Sequence, residues 1–132
     1  PDSRVRDELG VKPRTLNLLR EAMLADVEDP DSTGHRAAVP GLQVCGKTGT
    51  AQKKNMQGVT EEDFTWFISF APYQHPHYAV VVMVEVEHGG SGGGTCAPVA
   101  QKIYAALQQY EQGTLPKPVD MSQNRTSAVQ AP

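Results

Sequence analysis

Residues 78–86 read Tyr-Ala-Val-Val-Val-Met-Val-Glu-Val, apolar at nearly every position and rich in branched side chains. Branched residues suit a pleated surface, and a run without polar alternation is the pattern of a strand covered on both faces by helices. The rest of the chain must therefore supply partner strands and covering helices. Phe64-Thr65-Trp66-Phe67-Ile68-Ser69-Phe70 is a second strand by its aromatic and β-branched content. Residues 42–50 alternate so that Leu42, Val44, Thr48 and Thr50 share one side and Gln43, Cys45 and Lys47 the other. The short connections favour an antiparallel three-stranded meander.

Helical periodicity flanks these strands. Pro13 suits a first helical turn, and Leu16, Leu19, Met23 and Val27 recur at three- and four-residue steps, which predicts an amphipathic helix ending near Asp29, before Pro30. Asp29-Pro30-Asp31-Ser32-Thr33-Gly34 is turn chemistry. A second helix is expected from Thr95, a suitable N-cap, with Val99, Ile103, Leu107 and Tyr110 on its apolar stripe and Pro98 in its first turn. The expected fold is α/β of the α+β type, an antiparallel three-stranded sheet flanked by N- and C-terminal helices.

With 132 residues the chain is one domain long. Its opening, residues 1–11, reads as a charged connection, and from Gly113 it turns to Pro, Ser, Gln and Thr with little to bury. The expected division is a domain over 1–113 and a disordered tail over 114–132. A net charge of -3 and a pI near 5.8 argue against a nucleic-acid surface. No apolar run approaches the roughly 20 residues of a membrane-spanning helix, and no leader pattern opens the chain, so the chain as given is expected to be soluble. Cys45 and Cys96 lack companion metal ligands, so no metal is expected, and they are expected to be packed thiols rather than a disulfide. The polar stretch 53–63 is expected to be an exposed hairpin connection, with Glu61, Glu62 and Asp63 on a solvated face, and the run Gly89-Gly90-Ser91-Gly92-Gly93-Gly94 a flexible turn.

The densest group of donors is Gly46-Lys47-Thr48-Gly49-Thr50-Ala51. Two motifs compete for it. Gly41-Leu42-Gln43-Val44-Cys45-Gly46-Lys47-Thr48 fits the spacing of a P-loop, whose backbone N–H groups cradle phosphates. A P-loop needs a buried strand before its first glycine and a helix after its lysine. Here Arg36-Ala37-Ala38-Val39-Pro40 precedes, and Gly49 would interrupt the helix. A nucleotide binder is therefore the weaker alternative.

Lys47-Thr48-Gly49 also matches one of three motifs shared by serine β-lactamases and penicillin-binding proteins. The surroundings resemble the C-terminal part of a class B, elongation-type penicillin-binding protein transpeptidase domain. The likeness rests on Leu19-Arg20-Glu21-Ala22-Met23, Val39-Pro40-Gly41, Gly46 to Gln52, Trp66-Phe67-Ile68-Ser69-Phe70-Ala71-Pro72, and the glycine-rich turn before Ala97-Pro98-Val99-Ala100. It implies acyl transfer: a serine attacks the D-Ala-D-Ala end of a peptidoglycan stem peptide, an amine resolves the acyl-enzyme, and β-lactams mimic the dipeptide. The substrate ends in a carboxylate, which suits the hydroxyls of Thr48 and Thr50 and the charge of Lys47. By the same resemblance the Thr50 N–H is an oxyanion donor, and Lys47 holds a proton-relay hydroxyl from another motif. Gly49 leaves room for close approach of substrate. The catalytic residues are thus expected to be Lys47 and Thr50, and the substrate-binding residues Thr48, Gly49 and Thr50, with no cofactor.

Strict alternation points Lys47 away from the threonines, so one site can use all three only along a free edge. Residues 42–50 are therefore expected to form a sheet edge, with substrate laid beside it as an added strand. The nucleophile is the missing part. No Ser-x-x-Lys occurs, and Ser122-Gln123-Asn124 matches Ser-x-Asn only by chance, in the low-complexity tail. The chain thus resembles the last third of a catalytic domain. Alone it is expected to be inactive and to expose apolar surface meant for the remainder of that domain. The parent is expected on the extracytoplasmic face of the bacterial inner membrane, anchored through a segment absent here. A serine β-lactamase and a catalytically dead homologue are the alternatives within the fold.

Overall fold

In a computed structural model the described residues are 10–54, 56–58, 60–86 and 89–114. The opening residues 1–9 and all of the expected tail beyond Thr114 lie outside them. Thr114 itself is tied back by its N–H to Gln109 O at 2.9 Å.

The elements run α1 (Pro13–Glu28), a single 3-10 turn (His35–Ala37), β1 (Cys45–Lys54), β2 (Thr60–Ala71), β3 (Tyr78–Val86), a π-helical turn (Gly92–Cys96) and α2 (Ala97–Glu111). The strands form one antiparallel sheet in the order β1-β2-β3, the expected meander. Its first hairpin is longer than its apolar pattern suggests: β1 starts at Cys45 rather than 42 and runs on to Lys54, and β2 begins at Thr60. Backbone pairing alone carries a hairpin into polar sequence, which alternation of apolar residues does not reveal.

The two faces of the sheet differ. On one, Thr65, Phe67 and Ser69 of β2 and Val82 of β3 are buried beneath α2, with Val80 and Val84 half-buried beside them. Tyr104 of α2 is buried there and donates its hydroxyl to Ser69 Oγ at 3.0 Å, while Ser69 donates to Val80 O at 3.0 Å. Burial pushes the Tyr104 phenol above its ordinary pKa, so the group remains a neutral donor. Phe67 lies across the Gly46 backbone, where a Cβ would collide with its ring. On the opposite face Trp66, Ile68, Val81 and Met83 are adjacent through the pairs Trp66↔Met83 and Ile68↔Val81, and all four are exposed, Val81 at 65% and Met83 at 51%. Cover on both faces, as expected for 78–86, is therefore realised on one face only among the described residues.

The helices show the same reversal. The stripe on α1 was expected to be its buried side, yet Leu16 and Leu19 are 44% and 56% exposed and only Val27 is buried. Besides Val27, which joins the core, Arg20 ties α1 down: it lies 5.7 Å from the Phe70 ring and 5.3 Å from the Tyr73 ring and donates to Tyr73 O. On α2 the buried side is Ala97, Ala100 and Tyr104, whereas Val99, Ile103 and Tyr110 are exposed. Ala97 and Ala100 let the start of the helix sit close to its neighbours, Tyr104 fills the space beneath its middle, and Leu107 is half-buried against the core.

Cys45 and Cys96 are both buried and unbridged. Burial pushes the Cys45 thiol up to about 11. Cys96 donates to Thr65 O at 3.2 Å. The carboxylate Asp63 is not solvated as expected: it is buried and accepts the Gly89 N–H at 3.1 Å, pinning the end of β2 to the turn after β3. The side chains of Glu61 and Glu62 lie outside the described residues.

Candidate active site

β1 carries Lys47, Thr48, Gly49 and Thr50 and pairs only with β2 among the described residues, so its other side is a free edge, as the sequence suggested. Register explains which groups reach that edge. In an antiparallel strand the N–H and C=O of one residue point to the same side, and alternate residues share it. Lys47 Nζ donates to Thr48 O at 3.2 Å, which places the Thr48 carbonyl, and with it the Thr50 N–H, on the free side.

The conflict between Lys47 and the threonines is resolved along this edge. The Lys47 side chain leaves from the opposite face but curls over the strand, bringing Nζ within 3.3 Å of Thr48 Oγ1. Thr48 and Thr50 lie on the face covered by α2, two residues apart. There they line a cleft of about 430 Å³ together with Gly49, Thr33, Arg36 and the loop from Ser91 to Gly94.

That loop is closely packed, not the flexible turn its composition suggests. Gly92 and Gly93 are buried. A Cβ at Gly92 would collide with Trp66 O and come within 2.9 Å of Gly49 N and O, so only glycine lets the loop lie on the paired backbones of β1 and β2. Ser91 Oγ accepts the Gly94 N–H at 3.0 Å, capping the turn. Ser91, rather than Thr95, is therefore the side-chain cap, and Pro98 sits in the first turn of α2. At Gly49 itself a Cβ would meet only Trp66 at 3.8 Å, an ordinary contact, so packing within the chain does not account for this glycine.

Two residues that line the cleft, Thr33 and Arg36, escape motif reading. Thr33, in the turn after α1, has its Oγ1 2.8 Å from Thr48 Oγ1 and donates to Asp26 Oδ1 at 3.0 Å. Arg36 sits across the cleft and donates to Gly94 O at 3.5 Å. A P-loop is not formed. Gly46, Lys47 and Thr48 are inside a paired strand that continues to Lys54, with no helix after the lysine.

This arrangement has counterparts of known structure. The fold superimposes on penicillin-binding protein 3 from Mycobacterium tuberculosis with a TM-score of 0.69 at 30% identity, over 89% of this chain and 29% of that one. The transpeptidase domain of Burkholderia pseudomallei penicillin-binding protein 3 gives 0.63 at 31% identity, over 81% and 33%. Residues 2–105 match the family described as penicillin binding protein transpeptidase domain. The chain belongs to that family. Among relatives, the penicillin-binding protein PbpB of Mycolicibacterium smegmatis is 36% identical over 110 residues, which is 75% of this chain and 17% of PbpB. The peptidoglycan D,D-transpeptidase PbpA of M. tuberculosis is 34% identical over 105 residues, 77% of this chain and 21% of PbpA. The chain thus spans about a fifth, or less, of the length of these relatives.

Proposed function

We propose that this chain forms the substrate-anchoring wall of a serine-type peptidoglycan D,D-transpeptidase whose nucleophile lies on residues outside it. The observation that carries the reading is the free edge of β1, where Lys47, the Thr48 and Thr50 hydroxyls and the Thr50 N–H converge on a cleft walled by a tightly packed glycine loop. Chemically such an edge offers what a stem peptide ending in D-Ala-D-Ala requires. The peptide backbone adds beside β1 as a further strand, and its carboxylate meets hydroxyl donors and an ammonium. The scissile carbonyl finds a preorganised N–H at Thr50 as its oxygen becomes negative. Lys47 and Thr50 are the residues assigned to the chemistry, and Thr48, Gly49 and Thr50 those assigned to substrate. β-Lactams fit the same cleft because they present a carboxylate and a reactive carbonyl.

The exposed Trp66, Ile68, Val81 and Met83 support a remainder of the domain that covers the second face of the sheet. No helix among the described residues is long and apolar enough to cross a membrane. By likeness to its relatives, anchorage at the extracytoplasmic face of the inner membrane is proposed to come from a segment outside this chain.

Labelling with a fluorescent penicillin tests the reading. The full-length protein carrying this chain is expected to form a stable covalent adduct, and the isolated chain none. An adduct on the isolated chain would show a nucleophile within it. Rapid turnover of the full-length adduct would mark a β-lactamase, and no adduct on either would mark a dead homologue.

A further inference from the structure

Among the described residues, those lining the cleft include one cation, Arg36, and no carboxylate. Arg36 belongs to the 3-10 turn His35–Ala37, whose other two members fix its direction. The His35 ring is bonded through Nδ1 to Val27 O at 2.9 Å, and Ala37 is fully buried with its N–H donated to Gly34 O at 2.9 Å. Arg36 is the exposed member of the turn. Its guanidinium reaches over the cleft to the Gly94 carbonyl, and at 3.5 Å that contact is at the outer limit of a hydrogen bond.

A guanidinium carries several N–H donors in a planar fork. Arg36 uses that fork weakly and forms no ion pair among the described residues, so its charge is unspent. The loop it faces adds to the imbalance, because Ser91 to Gly94 open the turn that runs into the N-terminus of α2, the positive end of the helix dipole. Two positive features thus face one small space with no acid lining it, in a chain whose net charge is -3. An anion seated there offsets both.

We infer that Arg36 is a substrate-binding residue that clamps the C-terminal carboxylate of the stem peptide, or the carboxylate of a β-lactam, from the wall opposite Thr48 and Thr50. The inference rests on the transpeptidase reading and deepens it. The two threonines donate their hydroxyls from β1, and Arg36 supplies a forked cation from the far side, so the carboxylate is held between two walls. Lys47 does not fill this role alone, because its ammonium is already directed to Thr48 O and Thr48 Oγ1 along the strand. A ligand that brings the reactive carbonyl without the carboxylate loses the clamp. Arg36 is thereby a determinant of specificity for peptides with a free C-terminus.

The experiment uses the full-length protein and resolves acylation by benzylpenicillin into a dissociation constant and a first-order rate constant. The methyl ester of the same penicillin, which lacks the charge, is the comparison ligand. Arg36→Gln is expected to raise the dissociation constant for benzylpenicillin about tenfold, the worth of one charge-assisted hydrogen bond, with the acylation rate constant within about twofold of wild type. For the ester the same substitution is expected to change the overall acylation efficiency by less than about twofold. Arg36→Lys, which keeps the charge but not the fork, is expected to fall between wild type and Arg36→Gln. Salt gives a reading independent of the ester: raising it should weaken benzylpenicillin binding in the wild type and do so less in Arg36→Gln. A wild-type dissociation constant in Arg36→Gln, or equal salt responses in the two proteins, would overturn the clamp while leaving the transpeptidase reading intact. Equal losses for benzylpenicillin and its ester would overturn it too, by marking Arg36 as a prop for the Ser91 to Gly94 loop. Absence of labelling in the wild-type protein would instead remove the reading on which the clamp rests, and the clamp with it.

Discussion

The two faces of the three-stranded sheet carry similar side chains in opposite circumstances. Beneath α2, Phe67 and Val82 are buried and the polar groups Thr65 and Ser69 are hydrogen-bonded. One residue along, Trp66, Ile68, Val81 and Met83 form an apolar surface with nothing over it among the described residues. An uninterrupted apolar run therefore records how many faces a strand is built to bury, not how many are buried within one stretch of chain. The covered face stabilises the structure described, and the open one is the surface assigned above to the proposed remainder of the domain.

Substitutions on neighbouring residues can break this contrast. Phe67→Ala should destabilise the isolated chain by about 3–5 kcal/mol, enough to abolish cooperative unfolding by circular dichroism, because a buried ring leaves a cavity. Ile68→Ala beside it should change the same transition by less than about 0.5 kcal/mol. Equal losses would mean that the open face is packed after all. Val81→Lys sharpens the contrast from the other side. In the isolated chain it should shift size-exclusion profiles towards monomer, whereas in the full-length protein it should destabilise by on the order of 2 kcal/mol or more, read as loss of soluble yield.

Gly92→Ala forces a methyl group against Trp66 O and should cost about 1–3 kcal/mol, with loss of penicillin labelling in the full-length protein as the loop lifts from β1. Tyr104→Phe should cost about 1 kcal/mol in denaturant titrations, since it removes one buried hydrogen bond while Ser69 keeps its bond to Val80. An effect confined to alkaline pH concerns Cys45. Its thiol is raised from 9.0 to about 11 by burial, so the folded chain holds a proton that the unfolded chain releases first. That contribution to stability is complete below about pH 9 and is lost as the pH rises towards 11, and alkylation of Cys45 should stay slow until the chain unfolds.

Much of this architecture was legible in the sequence. The bounds of β3 and the start of α1 follow from branched runs and from Pro13, and the free edge of β1 follows from needing Lys47 and the threonines in one place. The orientation of the helices was not legible, because an apolar stripe shows that a face is buried somewhere without naming its partner. On α1 the Leu16 and Leu19 end of the stripe faces away, Val27 at its other end is buried, and Arg20, a cation, reaches the Phe70 ring of the sheet. Asp63 looked solvated because its partner is a backbone N–H beyond β3, which leaves no trace in composition. In the cleft, the Lys-Thr-Gly spelling revealed one strand only. Thr33 stands 15 residues before Thr48 in a turn whose Ser, Thr and Asp content reads as local backbone chemistry, and only the fold brings it to the site. The glycine run had a usable signal in its length: consecutive glycines are called for where one backbone rests directly on another.

The bond from Lys47 to the Thr48 carbonyl has one more consequence. An unpaired strand edge is an invitation to any extended segment, including the same edge of a second molecule. With an ammonium lodged on one of its acceptors, β1 is closed to a segment that brings no compensating negative charge. A strand ending in a carboxylate carries its own entry permit, so the lysine proposed to serve the chemistry of this edge also guards it against pairing with itself.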